Sequence, residues 1–257
     1  MAIDLNALRE KHQQLTNPKA AASGDFLEKF YQVKEGDHYV RILPAKEGSD
    51  KPFYAETKIH RVPGPDGQIQ NYHCRKVHGE KCPLCDLYYA LWKTGSKEDE
   101  DLARQIKPRA RYYLNVFDRD KEEVKILSIG VILFQKIMET MLDPDYAELF
   151  EKAENGILDT GIGHDFKISM FKEGPWPKYD RSMFRPRGSE LGSAKIVDEV
   201  MNSLHDIYEL VKVEEYDTLK EAVQNLRPEL GVVRERSVPN QESQSGSDDD
   251  FNRRLLS

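Results

Sequence analysis

Five short segments in the middle of the chain alternate apolar and polar residues. Each is rich in β-branched or aromatic residues, a pattern typical of half-buried strands. They are YVRIL (39–43), PFYAETKIH (52–60), RYYLNVFD (111–118), EEVKILSIG (122–130) and HDFKISMFK (164–172). Turn-forming stretches such as VPGPDGQ separate them. Short strands with inserted segments predict an α+β protein built on a small, partly open β-barrel.

Apolar residues at helical spacing mark the insertions and the ends of the chain. Residues 3–15 predict a short amphipathic helix, and PLCDLYYALWKTG predicts a helix that starts at Pro83 and ends at Gly95. The same period occurs in VILFQKIMETML (131–142), AKIVDEVMNSLHDIYELVKV (194–213) and YDTLKEAVQNL (216–226). We expect residues 194–213, the longest of these patterns, to form one helix.

Local composition divides the chain into three parts. We predict an N-terminal arm over residues 1–22, a folded core over residues 23–236 and a tail over residues 237–257. The tail is polar, rich in Ser and Gln, and poor in residues that build a core, so we expect it to be disordered.

The charge balance narrows the classes of function. Charged residues make up 32% of the chain and the formal net charge is −7, which argues against a protein that coats nucleic acid by bulk charge. A basic groove can still coexist with an acidic tail. The chain has no apolar run of bilayer length, and its N-terminus lacks the apolar stretch of a secretory signal. We therefore expect a cytoplasmic protein with no membrane partner, in the host cytoplasm if the source is viral.

The three cysteines, Cys74, Cys82 and Cys85, form one cluster. In a reducing compartment such clusters more often bind metal or do chemistry than form disulfides. The CxxC spacing lets two sulfurs reach one ion at about 2.3 Å. This predicts one structural Zn²⁺.

A tetrahedral ion needs a fourth ligand, and a nearby histidine must supply it. His73 is a poor candidate because neighbouring side chains in an extended segment point to opposite faces. His78 lies inside the loop between the cysteines, and His60 ends a predicted strand that a turn brings back toward Cys74. Both remain open on spacing alone.

Two other interpretations of the cysteines are weaker. Cysteine is often a small buried apolar residue, and CxxC can be a redox motif. A redox motif is expected in a thioredoxin-like βαβ pattern, which this sequence lacks. A catalytic zinc would use a nearby carboxylate and an open position. Glu80 is the only nearby candidate in a thiolate-rich site, so a structural ion is favoured.

Two basic strips also contain aromatic residues. The first basic strip, residues 104–117, has four cations followed by two tyrosines, and the second, residues 172–188, interleaves five cations with three rings. Cations bind phosphates and rings stack on unpaired bases. Predicted phosphate contacts are Arg104, Lys107, Arg109, Arg111, Lys178, Arg181 and Arg185; predicted stacking residues are Tyr112, Tyr113, Trp176, Tyr179 and Phe184. The alternative for either strip is a solvated surface over ordinary core aromatics.

The pattern favours single strands over duplexes. No helix with a basic face and no dimerising heptad is evident. In the tail, Asp248, Asp249 and Asp250 stand beside Phe251. Such a segment either keeps the protein soluble or recruits partner proteins, and it could also occupy the basic groove.

Several of these segments resemble the T-even-phage type of single-stranded-DNA-binding, or helix-destabilising, protein. VRILPAKEGSDKPF resembles that family's entry strand and turn, and KPRARYYLNV resembles its basic-then-aromatic strand. His60 followed by Cys74 and then CPLC resembles its zinc subdomain. KYDRSMF (178–184) resembles its loop before the C-terminal helices. All four occur in the family's order, over residues 40–184.

The resemblance implies specific expectations. The fold would be an OB-fold with a zinc subdomain at about residues 60–95, and the ligands would be His60, Cys74, Cys82 and Cys85. The protein would coat and protect single-stranded DNA during phage replication, recombination and repair, without catalysis. The arm would drive self-association along DNA, and the acidic tail would contact replication and recombination proteins. Two alternatives remain: an RNA-binding zinc protein acting as a translational regulator, and an enzyme such as a zinc-dependent nuclease or nucleotidyl hydrolase. No carboxylate cluster or phosphate-cradling loop supports the nuclease.

Overall fold

The computed structural model describes residues 26–64, 67–149, 153 and 155–227. Its strands are β1 (Gly36–Ile42), β2 (Tyr54–Pro63), β3 (Ile69–His73), β4 (Arg109–Asp118), β5 (Glu123–Ile129), β6 (Phe166–Glu173), β7 (Trp176–Lys178) and β8 (Met183–Phe184). Its α-helices are α1 (Pro83–Thr94), α2 (Lys97–Ile106), α3 (Val131–Leu142), α4 (Pro144–Leu149), α5 (Ala194–Asn202) and α6 (Tyr216–Leu226). Short 3₁₀ turns span Arg75–His78, Gly156–Leu158 and Ile207–Val211.

The strands form one antiparallel sheet in the order β3-β2-β4-β1-β6-β7, with β5 on β4 and β8 on β6. β4 changes partner along its length: Arg109–Leu114 pair with β2, and Val116–Asp118 pair with β1. β1 likewise turns from β4 to β6 at Val40. These changes curl the sheet into a half-barrel, which confirms the predicted OB-type barrel with added helices.

The main core lies between the half-barrel and α3. Val40 and Ile42 from β1, Leu114 from β4 and Ile168 from β6 are fully buried there, and Ile137 covers them from α3. Alternation along the strands produces this face, because every second side chain points to the same side of a sheet. The concave face of the half-barrel and α3 therefore enclose one apolar core.

A second core forms around the cysteines. We call the β2–β3 end, α1, α2 and α6 the cysteine subdomain, because their buried residues form one cluster with Cys74, Cys82 and Cys85. The cluster reaches past the predicted 60–95 range to Ile106 of α2 and to Leu219 of α6. The chain thus returns to this subdomain after completing the barrel.

The prediction of one helix over residues 194–213 is wrong. α5 ends at Asn202, and a separate 3₁₀ turn starts at Ile207. Between them the backbone of His205 makes two hydrogen bonds of 3.0 Å with the buried side chain of Asn115. The His205 amide donates to Asn115 Oδ1, and Asn115 Nδ2 donates to the His205 carbonyl. Asp206 then caps the turn by accepting from the Tyr208 amide. Tertiary hydrogen bonds replace the helical ones here.

α2 was not predicted, although its start has a clear signal. Ser96 is its N-cap and accepts a hydrogen bond from the Asp99 amide at 3.3 Å. Acidic residues fill the first turn, where the helix dipole favours them. The predicted arm helix (3–15) and the tail (237–257) lie outside the described residues, and the predicted domain limits stay a prediction.

Candidate metal centre and nucleic-acid interface

Four buried side chains from separate elements meet at one point. His60 comes from β2, Cys74 directly follows β3, Cys82 is the N-cap of α1, and Cys85 lies in the first turn of α1. Their ligand atoms all lie within 4.8 Å of one another. Hairpin pairing carries the chain to Cys74, whose amide bonds to the Lys58 carbonyl at 2.7 Å. Four such residues are placed to bind a metal ion.

The distances fit a tetrahedral ion. The sulfurs of Cys74 and Cys85 are 3.4 Å apart, and His60 Nε2 is 3.5 Å from the sulfurs of both Cys82 and Cys85. Bonds of about 2.3 Å to sulfur and 2.0–2.1 Å to nitrogen at tetrahedral angles require separations of roughly 3.8 and 3.6 Å. One imidazole and three thiolates are also a donor set that Zn²⁺ prefers. The residues present therefore fit the predicted ion.

A second layer of hydrogen bonds orients these ligands. His60 donates from Nδ1 to the Ile106 carbonyl at 2.7 Å, which turns Nε2 toward the sulfurs of Cys82 and Cys85. Hydrogen bonds from Cys74 and then Cys85, including the Cys85 amide, lower the pKa of Cys82. Burial alone would lower the pKa of His60, but its bonds to Cys74 and Cys82 outweigh burial and raise it to about 9. Hydrogen bonds with Cys74 and then Cys82 raise the pKa of Cys85, so only the Cys82 sulfur is favoured as a thiolate by its protein neighbours alone.

The other two histidines considered as ligands, His73 and His78, lie away from the thiol cluster. His73 Nδ1 bonds to the Thr57 hydroxyl at 2.9 Å, across the β2–β3 hairpin. His78 is exposed at the end of the 3₁₀ turn. The structure thus places His60 beside the thiols, as the resemblance implies.

The predicted phosphate contacts differ in whether a carboxylate already neutralises them. Within the described residues, no carboxylate lies within 4.0 Å of Lys107, Arg109, Arg111, Arg181 or Arg185, and all five are exposed. Arg104 instead pairs with Glu100 and Asp101, and Lys178 pairs with Glu173 at 3.2 Å. The five cations without a carboxylate partner are therefore available to bind an added anion such as a phosphate.

Helix α3 contacts both basic strips. In the first strip, the Arg111 guanidinium lies beside Gly130, the N-cap of α3. In the second, Lys136 of α3 donates to the Asp180 carbonyl at 3.0 Å. Segments far apart in sequence therefore border one helix. Its first turn also exposes Val131 and Ile132.

Three of the five predicted stacking rings are buried, which corrects the prediction for them. Tyr112 stacks on Phe134 with ring centroids 3.8 Å apart, and Phe184 meets Phe166 edge to face inside the main core. Tyr113 lies in a separate apolar cluster with Ile126. The faces of these rings are occupied by protein, so they offer no platform for a base.

Trp176 and Tyr179 lie nearer the surface. Trp176 is 70% exposed and follows the Gly174 turn of the β6–β7 hairpin, where a positive φ of 60° favours glycine. Tyr179 is half-buried against the main core. Of the predicted rings, Trp176 therefore has the most free surface.

Sequence reasoning missed Tyr39 as a surface ring. It is 40% exposed, and the Arg185 guanidinium lies 5.2 Å from its ring centroid. The strand period was the available signal, because Tyr39 adjoins the fully buried Val40 in β1. The predicted partner tail, Asp248, Asp249, Asp250 and Phe251, lies outside the described residues.

Comparison with known protein families places most of the chain in a family of DNA-binding proteins. The family model described as gp32 DNA binding protein like matches residues 34–228, about three quarters of the chain. A comparison with curated proteins finds no match. Among the helices of the described ranges, none has the length and apolar character to span a membrane.

Proposed function

The chain belongs to the gp32-like DNA-binding protein family, and from that premise we propose that it binds single-stranded DNA without catalysis. The family match carries the proposal, since it covers both the half-barrel and the cysteine subdomain. The unpaired cations support it, because unpaired cations can bind phosphates and release counterions.

The proposed interface uses the residues that remain accessible. Lys107, Arg109 and Arg111 would contact phosphates in the first basic strip, and Arg181 and Arg185 in the second. Trp176 and Tyr179 would stack on unpaired bases, whose faces are hidden in a closed duplex. Arg104 and Lys178 would contribute less, because phosphate must compete with their present carboxylates.

The proposed ion at the four-ligand cluster is one structural Zn²⁺. It would join β2, β3 and α1 at the point where His60, Cys74, Cys82 and Cys85 meet. Structural zinc contributes folding free energy directly. The ion would therefore shape this side of the interface without contacting DNA.

The wider biological role is part of the same proposal. The protein would coat and protect unpaired DNA during phage replication, recombination and repair. The arm (1–22) would mediate self-association along the strand, and the tail residues Asp248–Phe251 would contact replication and recombination proteins. Family membership supports the DNA-binding step, on which the rest depends.

A fluorescence anisotropy titration tests the proposal. The full chain, loaded with zinc, is titrated against equal-length oligo-dT, oligo-U and a duplex. We expect oligo-dT to bind more tightly than the duplex, because stacking needs open base faces. The affinity should fall linearly with the logarithm of salt concentration.

The same experiment also tests the alternative functions. Tighter binding to oligo-U than to oligo-dT would favour the RNA-binding alternative, since discrimination requires contact with the 2′-OH. Equal affinity for single strand and duplex would reject the stacking interface. Incubation of labelled oligo-dT with Mg²⁺ or Mn²⁺ should leave it intact, and cleavage would reject the non-catalytic role.

A further inference from the structure

A fully buried arginine bonds to residues that flank the second basic strip in sequence. Arg41 on β1 is 0% exposed and donates from Nε to Asp165 Oδ1 at 3.0 Å. Its other nitrogens donate to the Asp159 carbonyl at 2.9 Å and to the Ser189 carbonyl and hydroxyl at 2.5 and 2.9 Å. One side chain therefore joins β1 to two separate loops, one before β6 and one after β8.

Those two loops are in close backbone contact. A Cβ at Gly188 would collide with the Ile162 carbonyl of the other loop, and within that other loop a Cβ at Gly163 would collide with the Asp159 carbonyl. Both positions therefore require glycine. Arg41 bonds to each loop beside these contacts, so it holds the two loops in one arrangement.

Asp165 links this buried network to the surface. Arg119 also donates to its carboxylate, at 2.9 Å, and the Ser189 hydroxyl donates at 3.3 Å. Burial would raise the pKa of Asp165, but Arg119 and Arg41 outweigh burial and lower it, so the carboxylate is ionised. The backbone of the same residue accepts the Arg185 amide at 2.8 Å.

Arg185 is thereby fixed on both sides of its peptide unit. Its amide bonds to Asp165, its carbonyl accepts from His164 Nδ1 at 2.6 Å, and its guanidinium lies over Tyr39. A buried ion pair contributes little to stability compared with well-packed apolar residues. The more important effect of this network is therefore the geometry that it imposes on the segment that carries Arg185.

We propose that Arg41 is a positioning residue for nucleic-acid binding, which acts through Asp165 to hold Arg185 at the surface beside Tyr39. The inference rests on the proposed function and names a residue that itself touches no ligand. Losing the network leaves Arg185 and its own backbone hydrogen bonds in place, but it loosens the two loops, one of which carries the Asp165 and His164 partners of those bonds. A phosphate contact then has to order that segment on binding, which weakens affinity.

A double-mutant cycle between Arg41→Lys and Arg185→Ala tests this role. Affinity for oligo-dT is measured well below the melting temperature of each variant. In the wild-type background, Arg41→Lys should weaken binding at least about threefold. In the Arg185→Ala background it should have almost no effect. In the Arg109→Ala background, which removes a cation of the other strip, its full effect should persist.

Other outcomes separate the possible failures. A purely structural Arg41 would lower the melting temperature and either leave affinity unchanged or weaken it equally in all three backgrounds, which would overturn the inference. If Arg41→Lys does not fold, Ser189→Ala, which removes a smaller part of the network, takes its place with the same criteria. Failure of the wild-type protein to bind oligo-dT would reject the proposed function, and this inference with it.

Discussion

The half-barrel and the cysteine subdomain each have a buried core, but the two cores are built from different kinds of side chain. The half-barrel core consists of aliphatic and aromatic side chains from the sheet and α3. The cysteine subdomain has a smaller core in which three buried cysteines lie among residues of α1, α2 and α6. His60 is also fully buried there, between the sulfurs and the Ile106 carbonyl.

This difference predicts different responses to the loss of an ion. Buried thiols and an imidazole are polar groups whose burial is costly unless they are bonded. A metal ion satisfies all four at once. The half-barrel has no comparable cluster of ligands within the described residues. Metal removal should therefore destabilise the cysteine subdomain and leave the half-barrel folded, and truncation of a core side chain in the half-barrel should leave the metal site intact.

Metal removal should have the largest effect. Cys82→Ser, or treatment with a zinc chelator, should abolish amide-exchange protection in α1 and α2. Structural zinc in small peptides binds with apparent free energies of about 10–16 kcal/mol, more than so small a core can replace. Protection in β4 and β5 should persist.

Two further measurements complete this test. Elemental analysis should give one zinc per wild-type chain and less for Cys82→Ser. His78→Ala is the matched control, because His78 is exposed and outside the cluster, and it should retain one zinc. Unchanged protection of α1 in metal-free protein would contradict the comparison.

Core truncation should have the next largest effect, in the opposite region. Phe166→Ala removes a ring that is 1% exposed and packed against Phe184. Aromatic truncations of this kind cost about 3–5 kcal/mol of unfolding free energy. Chemical denaturation should detect the loss. Zinc content should stay at one per folded chain, and loss of zinc by this variant under native conditions would show that the regions are not separable.

Substitutions at one exposed ring and one buried ring should distinguish a role in DNA binding from a role in packing. Trp176→Ala should weaken oligo-dT binding by about 1–3 kcal/mol, because stacking on one ring contributes that much. It should leave the melting temperature nearly unchanged, since the side chain is mostly exposed. Phe184→Leu should show the reverse pattern. A Trp176→Ala variant that binds like wild type would remove Trp176 from the interface.

The smallest effect is expected at a cation that already has partners. Arg104→Ala should change oligo-dT affinity by less than about 0.5 kcal/mol, because a phosphate would have to displace Glu100 and Asp101 from the guanidinium. Lys107→Ala is the matched comparison at an unpaired cation, and it should weaken binding more. Equal losses in both variants would show that ion pairing does not predict which cations bind DNA.

Local signals predicted much of this fold. Period-two alternation located the five principal strands, and Pro83 and Gly95 marked both ends of α1. The CxxC spacing identified a metal cluster because its ligands are close in sequence. The choice of His60 over His78 needed the strand pairing of β2 with β3, or the family resemblance, since both histidines are near enough in sequence.

Tertiary contacts account for what the sequence did not predict. The 194–213 pattern is helical in period, but Asn115, from a distant strand, binds the backbone of His205 and interrupts it. Tyr112 follows exposed arginines and looks like a surface ring, yet Phe134 of α3 covers its face. Neither partner can be identified from the local sequence. Arg41 likewise looks like an ordinary strand cation until Asp165 is placed beside it.

The salt dependence of binding tests the central claim most directly. Oligo-dT affinity is measured across a range of salt concentrations for zinc-loaded wild type and for the variant with both Arg109→Ala and Arg111→Ala. Each phosphate contact to a single strand contributes about −0.7 to the slope of log K against log salt. We predict that the double variant loses roughly 1.4 from the magnitude of this slope. An identical slope for both proteins would contradict the assignment of these unpaired arginines to phosphate contacts.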